Sequence, residues 1–274
     1  MNKDRRVALV TGASSGIGRA TADKLVNAGY RVYGTSRNGT QAVLMPVEQA
    51  FRMLKMDVTD DKSVDVAIAE LLGLEGRIDL LVNNAGFGLG PAAAEESSIE
   101  QVRTLFETNV LGVVRVTNAV LPAMRKQGSG RILNVGSGLG IIPAPYNAHY
   151  SATKHAIEGY SESLDHEVRE FGIRVAVIQP GVTRTSFDAS VTQSDKPLSA
   201  YDLSRQKYLV AYENALSAAD SSESVAETIV LAAEDRTPRL RYPSGKVARQ
   251  GAFARRFLPR GLFDRILHKQ FGLG

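Results

Sequence analysis

The segment VALVTGASSGIGRA, Val7–Ala20, joins a short apolar strand to a glycine-rich turn and the beginning of a helix. Glycine lets the backbone turn tightly, and the free N–H groups at the start of a helix attract phosphate groups. A glycine cluster by itself usually serves only as a turn, so the flanking strand and helix decide the interpretation. We therefore predict that this segment binds the pyrophosphate of a dinucleotide.

Outward from this segment, short apolar runs alternate with helix-length segments along most of the chain. Strands are predicted at Val7–Val10, Tyr30–Gly34, Phe51–Met56, Asp79–Asn83, Arg131–Val135 and Arg174–Ile178, with a further one at Arg239–Tyr242. Such alternation predicts an α/β fold, a doubly wound parallel sheet of about seven strands with helices on both faces. Because the 274 residues contain no linker, we expect a single domain.

Two segments depart from this alternation. Residues 185–217 are polar, rich in Ser and Asp, and too long for an ordinary connection, so we interpret them as a lid over the substrate. We assign residues 1–245, including this lid, to the catalytic domain. Residues 246–274 form a basic amphipathic extension that either belongs to the same domain or contacts another subunit. A helix packed on protein is the simpler interpretation, and contact with a membrane surface is the alternative.

The composition excludes several kinds of site. The chain has no cysteine, which rules out disulfides, thiolate metal sites and cysteine nucleophiles. The four histidines lack the spacing of metal ligands, and the net charge of +4 is a weak argument for nucleic acid. An apolar strand follows the first six residues directly, which leaves no room for a signal peptide, so we expect a cytoplasmic protein.

Tyr150 and Lys154 are four residues apart on a predicted helix that runs to about Arg169, which puts both side chains on one face. A phenol titrates near pH ~10, and we expect the ammonium group and an oxidised nicotinamide ring to lower this pKa. Tyr150 could then exchange a proton with a carbonyl or alcohol oxygen as a general acid/base. An exposed helical pair would be the ordinary interpretation of this spacing alone, so the surrounding motifs matter.

The spacing of Gly12, Gly16 and Gly18 resembles the TGxxxGxG loop of the short-chain dehydrogenase/reductase family, and further motifs follow in the family's order. They are NNAG at Asn83–Gly86, an asparagine at Asn109, a serine at Ser137, Tyr-x-x-x-Lys at Tyr150–Lys154 and PGxxxT at Pro180–Thr185. The resemblance covers roughly residues 5–245. Within the family, the sequence loosely resembles the hydroxysteroid-dehydrogenase and carbonyl-reductase branch. It implies a single-domain, Rossmann-like fold of the Tyr-Lys type.

The resemblance implies a catalytic set of Asn109, Ser137, Tyr150 and Lys154. In the family the tyrosine is the general acid/base, the serine polarises the substrate oxygen, and the asparagine holds a water that extends a proton relay from the lysine. The implied cofactor contacts are Gly12, Ser14, Ser15, Gly16, Ile17, Gly18, Arg37, Asp57, Val58, Asn84, Ala85, Gly86, Tyr150, Lys154, Pro180, Gly181, Val182 and Thr185. It also implies a homodimer or homotetramer built through the helices that hold Asn109 and Tyr150.

The residues after the second strand indicate which cofactor is preferred. An acid at this point usually binds the ribose hydroxyls of NAD, whereas an arginine accommodates the 2′-phosphate of NADP. The chain has Arg37 here and no acid, so we predict that NADP(H) is preferred over NAD(H). Asp57 matches the family position that reaches the adenine ring, although a lone aspartate could instead cap the following helix.

The segments expected around the substrate are largely apolar. They contain Phe87, Leu89, Leu139, Ile141, Ile142, Pro143 and Phe187. A sugar would need many placed polar partners, so we predict a hydrophobic ketone or secondary alcohol. A non-catalytic dinucleotide sensor and an NAD-dependent alcohol dehydrogenase are the alternatives, while a sugar-nucleotide epimerase would need a larger C-terminal domain.

Overall fold

A computed structural model describes residues 5–39, 51–184, 191–217 and 219–273. Its main strands are β1 (Val7–Val10), β2 (Arg31–Ser36), β3 (Arg52–Lys55), β4 (Leu80–Asn83), β5 (Gly130–Val135), β6 (Ile173–Pro180) and β9 (Arg241–Ser244). They form one seven-stranded parallel sheet in the order β3-β2-β1-β4-β5-β6-β9. The short strands β7 (Thr183–Arg184) and β8 (Asp220–Ser221) pair separately. The predicted doubly wound parallel sheet is confirmed.

Helices cover both faces of the sheet. They are α1 (Gly16–Asn27), α2 (Asp61–Glu75), α3 (Ile99–Phe106), α4 (Gly112–Gln127), α5 (Ala148–Val168), α6 (Asp202–Ser217), α7 (Ser222–Glu234), α8 (Lys246–Phe257) and α9 (Arg260–Gln270). Alternate residues of β1 point to opposite faces: Val7 and Leu9 pack with α2, α4 and α5, whereas Ala8 and Val10 pack with α1 and α7. All four residues are buried, and the strand is accordingly apolar without interruption. Burial of each large side chain contributes about 1.5–3 kcal/mol to the free energy of unfolding.

A five-residue π-helical segment, Glu107–Leu111, separates α3 from α4. Asn109, predicted to lie mid-helix, is buried within this segment. At its end, a Cβ on Gly112 would lie 2.9 Å from Cγ2 of Val58, so only glycine permits this approach between α4 and the loop after β3. Such π-helical turns are local distortions that often occur at functional sites.

The last part of the chain contains more helix than the sequence indicates. The segment interpreted as a lid contains α6, and the C-terminal extension forms the two helices α8 and α9 rather than one. Pro259 separates them, because proline has no backbone N–H and cannot continue a helix. Within the described ranges, every helix falls short of the length and apolar character needed to cross a membrane.

Candidate active site

The glycine-rich loop leaves the carboxyl end of β1 and packs closely against its own helix. A Cβ on Gly18 would lie 2.2 Å from the carbonyl oxygen of Gly12 and 2.5 Å from Nδ2 of Asn84. Gly12 itself has φ +65°, in the left-handed region that favours glycine. The side chain of Ser15, the residue before α1, makes no capping hydrogen bond. A tight loop with the beginning of a helix beside it fits the pyrophosphate of a dinucleotide.

Asn84 and Thr11 join this loop to the end of β4. Nδ2 of Asn84 donates hydrogen bonds to the carbonyl oxygens of Thr11 at 2.9 Å and Gly12 at 3.2 Å. In return, Oγ1 of Thr11 accepts from the N–H groups of Asn84 and Ala85, both at 2.9 Å. Sequence reasoning did not single out Thr11 as a site residue, although it begins the TGxxxGxG motif. Its hydroxyl is needed because it satisfies two backbone donors at the closest point between the two loops.

The neighbouring Asn83 faces the interior of the protein rather than the loop. Its Nδ2 donates to Oγ1 of Thr117 at 3.0 Å and to Oδ1 of Asn134 at 2.9 Å. Asn134 donates in turn to Ser161 on α5 at 2.8 Å, and all four side chains are buried. A buried network of this kind fixes β4 and β5 against α4, which follows the π-helical segment, and against α5, which holds Tyr150.

Arg37 lies in the exposed turn that follows β2. This turn adjoins the glycine-rich loop, because the N–H group of Ala13 donates to the carbonyl oxygen of Thr35 at 2.9 Å. Gly34 lies at the same contact, where a Cβ would be 2.7 Å from that of Ala13. The guanidinium group is therefore close to the predicted dinucleotide site and open to solvent.

Asp57 follows β3 and lies near enough to Arg37 to sense its charge. A hydrogen bond from the N–H group of Thr59, at 2.9 Å, is the main reason that the pKa of Asp57 is lowered, and the Arg37 charge contributes. The helix cap of α2 is Asp60, whose side chain accepts from the N–H group of Ser63 at 3.1 Å. Asp57 is therefore not the cap. Val58, the next predicted contact, is buried.

Ser137, Tyr150 and Lys154 come together at the carboxyl end of β5. Nζ of Lys154 donates to the carbonyl oxygen of Val135 at 2.9 Å and lies 5.5 Å from the centre of the Tyr150 ring. The hydroxyl groups of Ser137 and Tyr150 are hydrogen-bonded to each other. Oγ of Ser137 also accepts from the N–H group of Leu139 at 3.1 Å, which fixes its position. The structure thus brings together the three residues that the Tyr-x-x-x-Lys and serine motifs indicated.

The pKa of Tyr150 differs from the sequence-based expectation. Burial raises the pKa of Tyr150 to about 12, although the hydrogen bond from Ser137 acts in the opposite direction. Burial also lowers the pKa of Lys154 to about 8. Without a cofactor, burial of the phenol therefore outweighs the hydrogen bond from Ser137, whereas the predicted downward shift of the phenol pKa includes the positive charge of an oxidised nicotinamide ring.

Asn109 binds the backbone of the loop that follows the NNAG motif. Its Oδ1 accepts from the N–H group of Phe87 at 3.0 Å, and its Nδ2 donates to the carbonyl oxygen of the same residue at 2.9 Å. A Cβ on Gly86 would lie 3.0 Å from Oδ1, so glycine allows this close approach. Both polar atoms of the Asn109 amide therefore fix the loop between β4 and α3.

The PGxxxT segment begins at the carboxyl end of β6, beside the Ser137 loop. The carbonyl oxygen of Pro180 is 3.6 Å from the position of a Cβ on Gly138. The carbonyl oxygen of Val182 accepts from the N–H group of Asp220 at 3.1 Å, and the N–H group of Gly181 donates to Ser244 at 3.4 Å. Thr185, and Phe187 beyond it, lie outside the described residues.

The described part of the lid, residues 191–217, is attached to the loop after β4. Thr192 donates to the carbonyl oxygen of Gly88 at 3.1 Å and accepts from the N–H group of Gly90 at 2.8 Å. Farther along, the buried carboxylate of Glu96 accepts from Nη1 of Arg205 at 2.5 Å and from the N–H group of Leu198 at 2.7 Å. Burial alone would raise the pKa of Glu96, but these hydrogen bonds and the Arg205 charge lower it.

Helix α6 also binds the residues immediately before Tyr150. The hydroxyl of Tyr146 donates to Oγ of Ser204 at 2.5 Å, and Nδ2 of Asn147 donates to the hydroxyl of Tyr208 at 2.7 Å. Tyr146 has φ +58°, which is strained for a residue with a side chain. Ser204 and Tyr208 lie in the predicted lid, but no motif marks any of the four residues, so the sequence did not predict these contacts. The positive φ follows from the tertiary contacts and has no signal in the sequence.

The chain matches known proteins over most of its length. Residues 6–196 match the family model described as short chain dehydrogenase. A 3-ketodihydrosphingosine reductase from Bacteroides thetaiotaomicron is 44% identical over 182 residues, which cover 66% of this chain and 65% of that protein. The 17-beta-hydroxysteroid dehydrogenase type 1 of Mus musculus is 37% identical over 256 residues, covering 87% of this chain and 73% of that protein.

Solved structures share the fold. A short-chain dehydrogenase from Streptomyces avermitilis has a TM-score of 0.80 at 34% identity and covers 97% of this chain and 94% of its own. ElxO with NADP bound has a TM-score of 0.74 at 25% identity and covers 89% of this chain and 99% of its own. A short-chain dehydrogenase/reductase from Burkholderia phymatum in complex with NAD has a TM-score of 0.75 at 25% identity and covers 88% of this chain and 90% of its own.

Proposed function

The chain belongs to the short-chain dehydrogenase family, oxidoreductases that act on CH–OH or carbonyl groups with a nicotinamide cofactor, and on this premise we propose that it uses NADP(H), with Tyr150 as the general acid/base. The observation that carries the proposal is the cluster at the end of β5. There the Tyr150 hydroxyl is hydrogen-bonded to that of Ser137, and Lys154 lies beside the phenol ring. A protein that only senses a dinucleotide has no physical need for this cluster.

The residues at the carboxyl edge of the sheet fit a dinucleotide. The glycine-rich loop and the start of α1 would bind the pyrophosphate. Asp57 and Val58 would contact the adenosine, and the central part of the cofactor would lie against Asn84, Ala85 and Gly86. Pro180, Gly181 and Val182 would border the nicotinamide. Preference for NADP(H) is supported by the exposed Arg37 and by the absence of an acid in the Ser36–Asn38 turn. Solved relatives bind NADP in one case and NAD in another, so the preference depends on Arg37.

When bound, the nicotinamide supplies or accepts the hydride, and its oxidised ring adds a positive charge beside the phenol. The residues of the chain handle the proton. Ser137 donates a hydrogen bond to the substrate oxygen, and Tyr150 gives that oxygen a proton in reduction or removes one in oxidation. Lys154 replaces the proton that Tyr150 gives up. With a pKa of about 8, it can release and regain a proton near neutral pH.

The water of the proton relay would be held by backbone. Because the amide of Asn109 is already bonded to Phe87, we propose that the backbone of the π-helical segment, rather than the side chain, holds the water that connects Lys154 to solvent. The lysine is buried, so some such connection is needed for proton exchange on the time scale of turnover.

We propose a hydrophobic ketone or secondary alcohol as the substrate. Leu89 on the loop after β4 is buried and Ile142 after β5 is half-buried, and both would line the substrate side with apolar side chains. The names of two relatives support this class, since one is a reductase of 3-ketodihydrosphingosine and the other a hydroxysteroid dehydrogenase. We further propose a cytoplasmic homodimer or homotetramer formed through α4 and α5.

The decisive experiment replaces the phenol hydroxyl. Tyr150→Phe should lower kcat about 10²–10⁴-fold with a panel of bulky apolar ketones while leaving the Kd for NADPH, read from nicotinamide fluorescence, nearly unchanged. Tyr160→Phe removes a hydroxyl from the same helix ten residues away and serves as the matched control, with turnover expected to stay near the wild-type value. Near-normal turnover in Tyr150→Phe would refute the assigned role. Tight NADPH binding by the wild type without turnover of any ketone would favour a sensor.

A further inference from the structure

The basic charge of the chain is concentrated at its C-terminus. From Lys246 onward there are seven of the 33 basic residues and one of the 29 acidic residues. This segment therefore has a net charge of +6, whereas the preceding residues together have a net charge of −2. The small net charge of the whole protein conceals this separation.

Helix α8 presents a basic and aromatic face to solvent. Phe253 and Phe257 are 66% and 62% exposed, lie one helical turn apart and contact each other with ring centres 4.7 Å apart. Ala248, on the opposite side of the helix, is buried. Arg249 and Arg256 are both exposed and, by helical spacing, lie beside the two rings. An exposed pair of phenylalanines is unfavourable in water unless another surface covers it.

Helix α9 repeats this arrangement with aliphatic residues. Leu262 and Ile266 are 41% and 45% exposed and again lie four residues apart, while Phe263 between them is buried against the protein. Arg265 and Lys269 are exposed on the same side by helical spacing. Each helix thus has one buried face and one outer face that combines an apolar pair with cations.

The two helices adjoin the substrate side of the candidate active site. A Cβ on Gly251 of α8 would lie 2.5 Å from Cδ1 of Ile142, and Ala248 lies 3.6 Å from the position of a Cβ on Gly181. At the end of α9, the ring of Phe271 packs against Tyr208 of α6 with centres 5.5 Å apart. The inner side of α8 therefore packs on the substrate side of the site, and the end of α9 packs on the described part of the lid.

We propose that α8 and α9 bind an anionic phospholipid surface through their outer faces. Amphipathic helices with aromatic or aliphatic residues and surrounding cations bind in this way, the apolar side chains entering the interface while the cations meet lipid phosphates. A second copy of the chain is a poorer partner, because a symmetric contact through this surface would bring one +6 segment against another. This assignment does not depend on the proposed reaction.

The test is co-sedimentation of the full-length protein with vesicles, without cofactor or substrate. Binding to vesicles of phosphatidylcholine with about one third phosphatidylglycerol is expected, with little binding to phosphatidylcholine alone and a marked loss in 0.5 M salt, since each basic residue contributes about 1 kcal/mol near an anionic surface. Arg249→Gln with Arg256→Gln should weaken the binding about 30-fold, and Phe253→Gln with Phe257→Gln at least about tenfold.

The control changes an exposed apolar pair elsewhere. Val66 and Leu74 on the acidic helix α2 are 67% and 49% exposed, and Val66→Gln with Leu74→Gln should bind vesicles as the wild type does. Circular dichroism and the Tm show whether each variant is folded. Equal binding by all folded variants, or no wild-type binding to anionic vesicles, would overturn the proposal. A wild-type dimer in light scattering that dissociates only in the Phe253/Phe257 variant, without vesicle binding, would identify a second copy as the partner instead.

Discussion

Lys154 is an ammonium group in the protein interior, 8% exposed, and burial lowers its pKa from 10.5 to about 8. In the unfolded chain the lysine keeps its proton up to about pH 10. Between pH 8 and 10.5 the unfolded state therefore binds more protons than the folded state, and stability rises with pH in this window. Below pH 8 both states are protonated and the folded protein has the full cost of the buried charge, about 3 kcal/mol.

Lys154→Met should consequently stabilise the folded protein more at neutral pH than at alkaline pH. We expect the free energy of unfolding of the wild type, relative to this variant, to rise by up to about 3 kcal/mol between pH 7 and pH 10. Urea unfolding at the two pH values measures this difference. Lys126→Met, at an exposed position, should shift the free energy equally at both. A pH-independent difference for Lys154→Met would mean that the lysine is as well solvated as in the unfolded chain.

Arg37 offers a second residue-level prediction, concerning the cofactor. A charge-assisted hydrogen bond to phosphate contributes about 1.5–3 kcal/mol, so Arg37→Ala should raise the Kd for NADPH about 10- to 100-fold. NADH has no 2′-phosphate, and its Kd should change less than about twofold. Fluorescence titration with both cofactors measures the ratio. Arg236→Ala, in the connection leading into β9 at the opposite edge of the sheet, is the control. Equal losses for the two cofactors would exclude Arg37 as the residue that distinguishes them.

At the scale of elements, Glu96 and Arg205 connect the lid to the rest of the protein. The carboxylate is fully buried, so removing its partner leaves an uncompensated interior charge, which costs about 3–5 kcal/mol. In Arg205→Gln we expect amide hydrogens of residues 198–210 to exchange about 100-fold faster, while those of β1 are unaffected.

Two further variants make this prediction specific to the ion pair. Gln206→Met changes an exposed neighbour on the same helix and should leave exchange unaltered. Adding Glu96→Gln to Arg205→Gln removes the buried charge and should restore part of the protection. Unchanged exchange in Arg205→Gln itself would mean that the hydrogen bonds from the N–H groups of Leu198 and Lys196 to Glu96 hold the lid without the ion pair.

Helix α6 illustrates why part of the site could not be predicted. Its apolar residues lie on several sides, and Leu203, Leu209 and Val210 are exposed, so no helical period is visible. The helix is held mainly by the Arg205 ion pair and by Tyr208, contacts between residues far apart in the chain. Strands such as β1, in contrast, are buried on both faces, so they can be predicted from uninterrupted apolar runs in the sequence.

For the whole molecule, the parallel sheet and the meeting of Ser137, Tyr150 and Lys154 could be predicted because both follow from chain order. In a parallel sheet the loops at the carboxyl ends of successive strands share one edge, so motifs after β1, β4, β5 and β6 converge. The pKa of Tyr150 could not be predicted in the same way. It depends on how completely the folded protein excludes water, which no motif records.

The position of β9 beside β6 has a consequence for synthesis of the protein. Sixty residues separate Pro180, the end of β6, from Arg241, the start of β9. At about 5–20 residues per second, a ribosome needs roughly 3–12 s to add them. During this interval β6 has β5 on one side and no strand on the other, so its N–H and C=O groups form an open edge. A nascent chain therefore exposes this edge of the sheet to other strands until β9 has been made and pairs with β6.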